Sequence, residues 1–306
     1  MDRRAARQWL GYRALALLAA CGAFLRPPLG DWVAAGLAWL VRGALPRYRR
    51  LALANMRRAF GAEMSHAEIQ RLMHAFYRHL GLGIVEFVRA LRVSDSEIRK
   101  IVRLSGTSHL DAALAQGRGG IIVSAHTGNW EMSVRGLILA GYRIHAIART
   151  QSDQTFAGLL DRSRSQAGLG LIPKRGAVRA AQERLARNEF VIFVVDEDAG
   201  RRGVFAPFFG HLASTAVGPA VVAARSGAPV IPGFAYRNAD GTHTVFVAPA
   251  LKLRFTGDER KDAEVNTAII AQAVEQGIRR HPEQWLWVKR RWRTRPPEER
   301  ASEVKS

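Results

Sequence analysis

The spacing of apolar residues changes near residue 107 of this 306-residue chain. Before that point apolar side chains recur every three or four residues, which is typical of amphipathic helices. Beyond it, short apolar runs alternate with helical patterns. Strands that alternate with helices usually form parallel sheets, because the helix carries the chain back to the start of the next strand. We therefore predict an α/β fold with a mostly parallel central sheet flanked by helices.

The pattern also predicts where the individual elements lie. Strands are expected at 119–125, 143–148, 169–173, 190–195, 229–236 and 243–249. Helices are expected at 107–116, 129–140, 153–167, 176–187, 215–226 and 261–280. Upstream, Ser65 and Glu68 have the spacing of a capping box, so a long helix should begin there and run to about Leu91.

The N-terminal segment is predicted to associate with a membrane. Residues 9–25 form an apolar helical pattern, but Arg13 limits the uninterrupted apolar run to 14–25, short of the ~20 residues of a spanning helix. An anchoring or interfacial helix is preferred, and a cleaved signal peptide or a core helix remains open. The next helix carries Trp32 and Trp39, which suit a membrane interface or a core equally.

These patterns divide the chain into three parts. Residues 1–45 are the helical membrane-associating region, residues 46–295 are the α/β domain, and residues 296–306 are a basic and polar tail. A single cysteine, Cys21, excludes an intramolecular disulfide and a cysteine-rich metal site.

The net charge of the chain indicates which classes of partner it can bind. Its 46 Lys and Arg against 26 Asp and Glu give +20, which favours nucleic acid, an anionic leaflet, a phosphorylated lipid or an acidic carrier protein. Basic residues are concentrated in 1–103, beside the most apolar helix, and again in 289–295. A nucleic-acid-binding protein would explain the charge but not the apolar N-terminus, and the RNP and zinc-finger patterns are missing.

A histidine lies where the first predicted strand ends. The segment GGIIVSAHTGNWE at 119–131 has the pattern of a buried strand, a break after His126 and the start of a helix. Ligands of open α/β sheets bind at the carboxyl ends of strands. A short turn would bring Glu131 to the imidazole, and a carboxylate on one ring nitrogen leaves the other free to take a proton from a hydroxyl.

Other interpretations of this segment stay open from the residues alone. Ser124 would share a face with His126, so a covalent serine route is considered, but no G-x-S-x-G elbow surrounds it. A surface histidine that caps a strand, with Glu131 merely at a helix start, is the ordinary structural alternative. No metal site is predicted, because no HExxH or neighbouring Cys/His spacing supplies three ligands.

A pair of aspartates follows the strand predicted at 190–195. Asp196 and Asp198 should reach the same sheet edge as His126 if the two strands are parallel neighbours. Their spacing suits a metal or, more commonly, a loop held together by side-chain hydrogen bonds.

An aromatic loop continues this segment. Phe208 and Phe209 lie in a stretch that contains glycine and proline, and we expect them to line an apolar slot for substrate. Ser214 and Thr215 are expected to cap the next helix, whose N-terminus suits an anion.

Taken in order, these segments resemble a known family. H-T-G-N-W-E followed by D-E-D-A-G-x-x-G-V-F-A-P-F-F-G-x-x-A-S-T-x-x-G-P-A is similar to the lipid A biosynthesis acyltransferases, the lauroyl/myristoyl branch of the lysophospholipid acyltransferase superfamily. The superfamily's H-x-x-x-x-D/E signature falls on His126 and Glu131. The likeness extends to A-N-M-R-R-A-F at 54–60 and Q-W-L-W-V-K-R-R-W at 284–292. It implies a glycerol-3-phosphate-acyltransferase-like fold.

The resemblance implies roles at matching positions. His126 would be the general base that deprotonates a glycolipid hydroxyl, and Glu131 would be its charge partner. The activated oxygen would attack an acyl thioester, and backbone N–H groups at Gly128 and Asn129 would stabilise the oxyanion. Asp196 would position the active-site loop or the acceptor.

The resemblance also implies an acceptor site. Two family arginines match Arg149 and Arg164, which would face phosphate or sugar groups, although solvated basic residues are the alternative. Asp198 is expected to contact substrate as well. The chain departs from the family's usual D-Q-D at Glu197 and from its Asn-Pro region at 152–155, so the resemblance does not fix the acceptor.

The resemblance thus implies an O-acyltransferase on the cytoplasmic face of the inner membrane, without a cofactor. It would move an acyl chain from an acyl carrier protein thioester to a hydroxyl of a lipid A precursor by direct attack. Its charge would serve the anionic membrane, the glycolipid and the carrier protein, and no nucleic-acid partner is expected. The alternatives are another lipid acceptor, such as a phosphatidylinositol mannoside or an aminolipid, and a coenzyme A donor. A silent membrane adaptor and a nucleic-acid-binding protein are alternatives of other classes.

Overall fold

The computed structural model describes residues 29–90, 93–148, 161 and 163–296. The apolar segment 9–25, Arg149 and the tail beyond 296 lie outside the described residues, so the predictions made for them stay predictions.

Helices and strands alternate through most of the described chain. The helices, α1 to α9 in order, are Leu29–Ala44, Pro46–Phe60, His66–Ala90, Asp95–Ile101, Ser108–Leu114, Trp130–Leu139, Ala177–Leu185, Gly218–Ser226 and Glu259–Arg280. The strands, β1 to β9, are Val102–Ser105, Gly120–Ser124, Ile144–Ala148, Gly170–Pro173, Phe190–Val194, Val204–Phe208, His211–Thr215, Val230–Arg237 and His243–Val247.

A seven-stranded sheet forms the centre of the protein, in the order β1-β9-β8-β2-β5-β3-β4. The five strands from β8 to β4 run parallel, while β9 is antiparallel to β8 and pairs in parallel with β1. The predicted fold class, a mostly parallel sheet flanked by helices, is confirmed.

The central strand β2 shows why a continuous apolar run predicts a strand in this protein. Ile121 and Val123 enter one hydrophobic cluster and Ile122 enters another, so both faces of the sheet are covered. A strand covered on both faces has a continuous apolar run instead of alternation. Each of the six predicted strands is present, with ends that differ by one or two residues.

The hairpin β6–β7 replaces the loop that the sequence suggested. Its strands pair antiparallel, and Phe209 and Gly210 make the turn with positive φ values of 50° and 73°. Positive φ is uncommon for phenylalanine, and the Phe209 N–H donates to Glu275 Oε2 at 2.5 Å. The strand β7 ends at Thr215, whereas α8 begins at Gly218 without a side-chain cap. The predicted cap by Ser214 and Thr215 is therefore wrong, because these residues are paired in a strand.

The basic segment at 289–295 is partly buried, since Arg291 and Trp292 belong to the core. Arg291 is fully buried, donates to Ser214 O and to Thr215 Oγ1 at 2.6 Å each, and lies 4.6 Å above the Phe208 ring. Burial lowers the pKa of this guanidinium to about 10. Trp285, Trp287 and Trp292 are buried beside it and join the segment to the hairpin.

The N-terminal helices pack on the long helix α3. The predicted capping box is confirmed, since Glu68 N donates to Ser65 Oγ and Ser65 N donates to Glu68 Oε2. Leu37 of α1 is buried, whereas Trp32 and Trp39 are 74% and 75% exposed. No helix in the described part of the chain is both long and apolar enough to cross a membrane.

Candidate active site

The predicted strand, bend and helix around His126 are confirmed. Strand β2 ends at Ser124, and α6 begins at Trp130, where the Asn129 side chain accepts a hydrogen bond from Met132 N at 3.1 Å. Between them Gly128 has a φ of +52°, and a Cβ there would lie 2.5 Å from the carbonyl oxygen of Ala235. Glycine therefore lets the chain turn closely against the neighbouring strand.

Strand register brings His126 to Asp196. Ser124 of β2 pairs with Val194 of β5, so the residues two positions beyond each strand end lie side by side. The His126 ring Nδ1 is 2.8 Å from Asp196 Oδ1, and the His126 backbone N–H donates to Oδ2 at 2.9 Å. The Trp285 indole also donates to Oδ2, at 2.7 Å. Asp196 is fully buried, whereas the His126 side chain is 21% exposed.

This contact shifts the pKa of both His126 and Asp196. Burial disfavours the imidazolium, but the charge and hydrogen bond of Asp196 outweigh it and raise the pKa of His126 above its ordinary value. Burial likewise opposes the carboxylate, yet its hydrogen bonds and the imidazole hold the pKa of Asp196 well below its ordinary value. Asp196 is therefore ionised and accepts from Nδ1–H, which leaves Nε2 as the basic atom of the neutral ring.

The expected hydrogen bond between His126 and Glu131 is wrong. Glu131 accepts hydrogen bonds from Arg164, with Nε 3.0 Å from Oε2 and Nη2 in closer contact with Oε1, and from the Trp130 indole at 2.9 Å. Arg164 Nη1 also lies 3.2 Å from Asp161. Glu131 sits on the first turn of α6 and faces this arginine, whereas Asp196 is delivered to the imidazole by the register of two paired strands.

A large cavity opens beside the imidazole. It has a volume of about 790 Å³, and its wall includes His126 and Trp130, whose rings meet edge to face at 5.3 Å. Most of the wall is apolar and includes Ile122, Val134, Leu137, Ile192, Val245 and Val247. The charged residues on the wall are His126, Glu131, Arg164, Lys174, Glu197 and Lys289. Such a cavity suits a ligand with a long apolar part and a polar group near the histidine.

Four predicted substrate residues lie elsewhere. Asp198 accepts from Thr294 Oγ1 at 2.9 Å, and Thr215 bonds Arg291. Phe208 and Phe209 are buried in the aromatic cluster around Trp285. None of the four lies on the wall of the large cavity, so the apolar slot expected at the two phenylalanines is wrong. All four side chains instead contact the C-terminal segment: Asp198 from the loop after β5, and the other three from the hairpin.

The groups expected to stabilise an oxyanion are only partly available. The Gly128 N–H already donates to the Gln284 carbonyl at 3.3 Å, whereas the Asn129 cap uses only the side-chain oxygen and leaves the role predicted for its backbone N–H untested. Ser124 lies on the cavity wall, but its hydroxyl is 3.4 Å from Ala125 O and is not bonded to His126. The buried Ser133 hydroxyl on the same wall has no hydrogen-bond partner within the described chain.

Three charged wall residues, Lys174, Glu197 and Lys289, are not predicted as site residues from the sequence. Lys174 directly follows β4, so the rule that ligands bind at strand ends would have found it. Glu197 was noted only as a departure from the family pattern. Lys289 reaches the cavity because the C-terminal segment folds back over the sheet, which no local signal indicates.

The fold and the site together define a class of protein: an α/β protein that presents a carboxylate-held histidine to a largely apolar cavity. The sequence profile described as "Bacterial lipid A biosynthesis acyltransferase" matches residues 2–294, and the chain belongs to this family.

Named relatives agree with this assignment. The chain is 31% identical to the lipid A biosynthesis palmitoleoyltransferase of Escherichia coli (strain K12), over 84% of this chain and 82% of that protein. It is 27% identical to the lipid A biosynthesis lauroyltransferase of the same organism, over 94% and 92%. It is also 29% identical to the phosphatidylinositol mannoside acyltransferase of Mycobacterium tuberculosis (strain ATCC 25618 / H37Rv), over 68% and 67%. These relatives are named acyltransferases, which supports O-acyltransferase activity.

The hydrogen bond between His126 and Asp196 predicts a distinct titration. In wild type we expect Nδ1 to carry the proton of the neutral ring and the pKa to lie above the ordinary histidine value. Asp196→Asn removes the charge and leaves the burial, so the pKa of His126 should fall. Ring ¹⁵N chemical shifts followed against pH measure both the tautomer and the pKa. Asp198→Asn, two residues along the same loop, should leave the titration unchanged, and an equal titration in wild type and Asp196→Asn would contradict the assignment.

Proposed function

We propose that this protein transfers a fatty acyl chain from an acyl carrier protein thioester to a hydroxyl of a lipid A precursor, with His126 as the general base. The observation that carries the proposal is the imidazole held by a buried carboxylate at the wall of a cavity of about 790 Å³. Membership of the lipid A acyltransferase family supports a glycolipid substrate.

The proton path follows from the tautomer. Asp196 holds Nδ1–H, and Nε2 accepts the proton of the acceptor hydroxyl while its oxygen attacks the thioester carbonyl. The tetrahedral intermediate then collapses, the C–S bond breaks, and the imidazolium returns its proton to the leaving thiolate. The products are an ester and a free thiol, so no acyl-enzyme is required. Asp196 stabilises the imidazolium that forms between the two transfers.

Glu131 takes a different role from the one its spacing suggested. We assign it to hold Arg164 at the cavity wall, because it accepts from two nitrogens of that guanidinium. A fixed arginine there would orient the acceptor, and a bidentate carboxylate is the partner that best fixes its plane. Both side chains are partly exposed to the cavity, at 11% for Glu131 and 21% for Arg164.

The exposed face of α1 supports a membrane location. Trp32 and Trp39 are seven residues apart, about two helical turns, and both project into solvent. Exposed basic residues follow on α2, including Arg47, Arg49 and Arg50. Aromatic and basic side chains together favour the interface of an anionic leaflet. We propose that this face lies on the cytoplasmic side of the inner membrane, where a water-soluble acyl carrier protein can reach the cavity.

The base assignment is tested by acyl transfer from labelled acyl carrier protein to purified lipid A precursor. His126→Ala should lower kcat by about 10²–10⁴-fold, because the acceptor hydroxyl loses its proton acceptor. The exposed His66→Ala is the matched control and should keep the wild-type rate. Parallel reactions with a phosphatidylinositol mannoside test the alternative acceptor. Transfer by His126→Ala at the wild-type rate would show that the base lies elsewhere.

The same assay tests whether Glu131 acts by holding Arg164. If Glu131 acts by holding Arg164, then Glu131→Gln and Arg164→Gln should each raise KM for the acceptor, and the double variant should lose little more than either single one. Independent, additive losses would argue that Glu131 acts on another group.

The membrane face predicts vesicle binding. Replacing both Trp32 and Trp39 with Ala should weaken co-sedimentation with phosphatidylglycerol vesicles by about tenfold, because two large aromatic side chains no longer enter the interface. Phe255→Ala removes an aromatic residue that is 54% exposed outside α1 and serves as the control. Equal binding of wild type and the double variant would exclude this face as the contact surface.

A further inference from the structure

The charges on the cavity wall are not evenly paired. Arg164 is already engaged by two carboxylates, those of Glu131 and Asp161. Lys174 and Lys289, in contrast, share the single carboxylate of Glu197 as their acidic partner within the described chain. The lysine side of the cavity therefore carries an excess of positive charge, and the arginine side does not.

Three separate parts of the fold bring these groups together. Lys174 follows the end of β4, Glu197 lies three residues beyond β5, and Lys289 comes from the segment that folds back after α9. Lys289 Nζ donates to Glu197 Oε1 at 2.6 Å, and Lys174 Nζ is 3.8 Å from Oε2. Each carboxylate oxygen thus faces a different ammonium group, so Glu197 bridges the pair.

The cluster remains accessible to a ligand. Its side chains are 53%, 33% and 40% exposed for Lys174, Lys289 and Glu197. It also lies near the base, because the charges of Lys289 and Glu197 both act on the pKa of His126. A group bound here would hold its substrate beside the reacting hydroxyl or thioester.

The start of α7 adds a field of the same sign. Ala177 and Val178, its first residues, line the cavity. The turn has no side-chain cap and no acidic residue, and it follows Gly176 with a φ of +77°. The positive end of the helix dipole therefore reinforces the lysines.

We propose that Lys174 and Lys289 form a phosphate subsite of the transferase and that Glu197 occupies it when no substrate is bound. The inference rests on the proposed function and names the group that anchors the substrate. A ligand must displace a carboxylate that already bridges both ammonium groups. A phosphate ester can do so, because it carries at least the same charge and more acceptor oxygens, whereas a sugar hydroxyl cannot. Such a phosphate is present on a phosphorylated glycolipid acceptor and on the phosphopantetheine arm of a carrier thioester.

Binding without turnover tests the subsite. Isothermal titration calorimetry compares two matched pairs of probes, a monophosphorylated lipid A disaccharide against its dephosphorylated form, both in detergent micelles, and acyl-phosphopantetheine against acyl-pantetheine. In wild type we expect the phosphate of one pair to improve affinity about tenfold. The gain should disappear in Lys174→Ala/Lys289→Ala. It should grow in Glu197→Gln, which removes the competing charge and keeps the shape. Lys252→Ala, an exposed lysine outside the cavity wall, is the control.

The outcomes distinguish an acceptor phosphate from a donor phosphate. They also distinguish failure of the subsite from failure of the proposed reaction. A lysine-dependent gain in the disaccharide pair assigns the subsite to the acceptor, and one in the thioester pair assigns it to the donor. No lysine-dependent gain in either pair overturns the inference, even if acyl transfer is observed. A lysine-dependent gain without any acyl transfer would keep the subsite and refute the proposed reaction.

Discussion

The hydrogen bonds to Asp196 are the contacts on which both the fold and the site depend. This carboxylate is fully buried and accepts from the His126 ring, the His126 backbone and the Trp285 indole. His126 follows the carboxyl end of β2, Trp285 belongs to the C-terminal segment, and Asp196 itself follows β5. A buried charge that loses its donors is strongly destabilising. The sheet edge, the returning segment and the imidazole are therefore held in one arrangement by the same group.

That arrangement explains why the cavity and the histidine are found together. Parallel strands end at one edge of the sheet, and the register of β2 and β5 places the residues that follow them side by side. The apolar wall below the edge comes from the same strands and from α6, which starts at Trp130, one short turn after His126. A carboxylate-held histidine, a largely apolar cavity and a set of charged groups thus arise from one topological feature.

Much of this could be read from the sequence, and the remainder has identifiable physical reasons. Continuous apolar runs predicted the buried strands, and the break at Gly128 predicted that His126 lies at a strand end. The partner of the imidazole was assigned to Glu131 because it is close in sequence, whereas strand pairing makes Asp196 closer in space. Local spacing contains no information on register between strands that are 70 residues apart.

The hairpin and the C-terminal segment were harder to predict for a related reason. Val204–Phe208 and His211–Thr215 are short strands that contain small residues and a proline, and they are stabilised by packing on Trp285 and Trp292. The sequence pattern predicts a substrate slot at Phe208 and Phe209. An aromatic residue that packs in the core cannot be told from one that lines a ligand site by its sequence alone. Arg291 belongs to the basic run 289–295, and nothing in that run distinguishes it as the residue whose guanidinium is buried and bonded to the hairpin.

In the proposed reaction Asp196, and not Glu131, acts through His126. The pH dependence of kcat/KM for acyl transfer tests it most directly, because the base must be neutral and the rate rises as pH passes the pKa of His126. Asp196→Asn should lower the rate and move the acidic limb of the profile to lower pH, whereas Glu131→Gln should lower the rate without moving that limb. A limb that shifts in Glu131→Gln and stays in place in Asp196→Asn would show that Glu131, and not Asp196, is the partner of the imidazole.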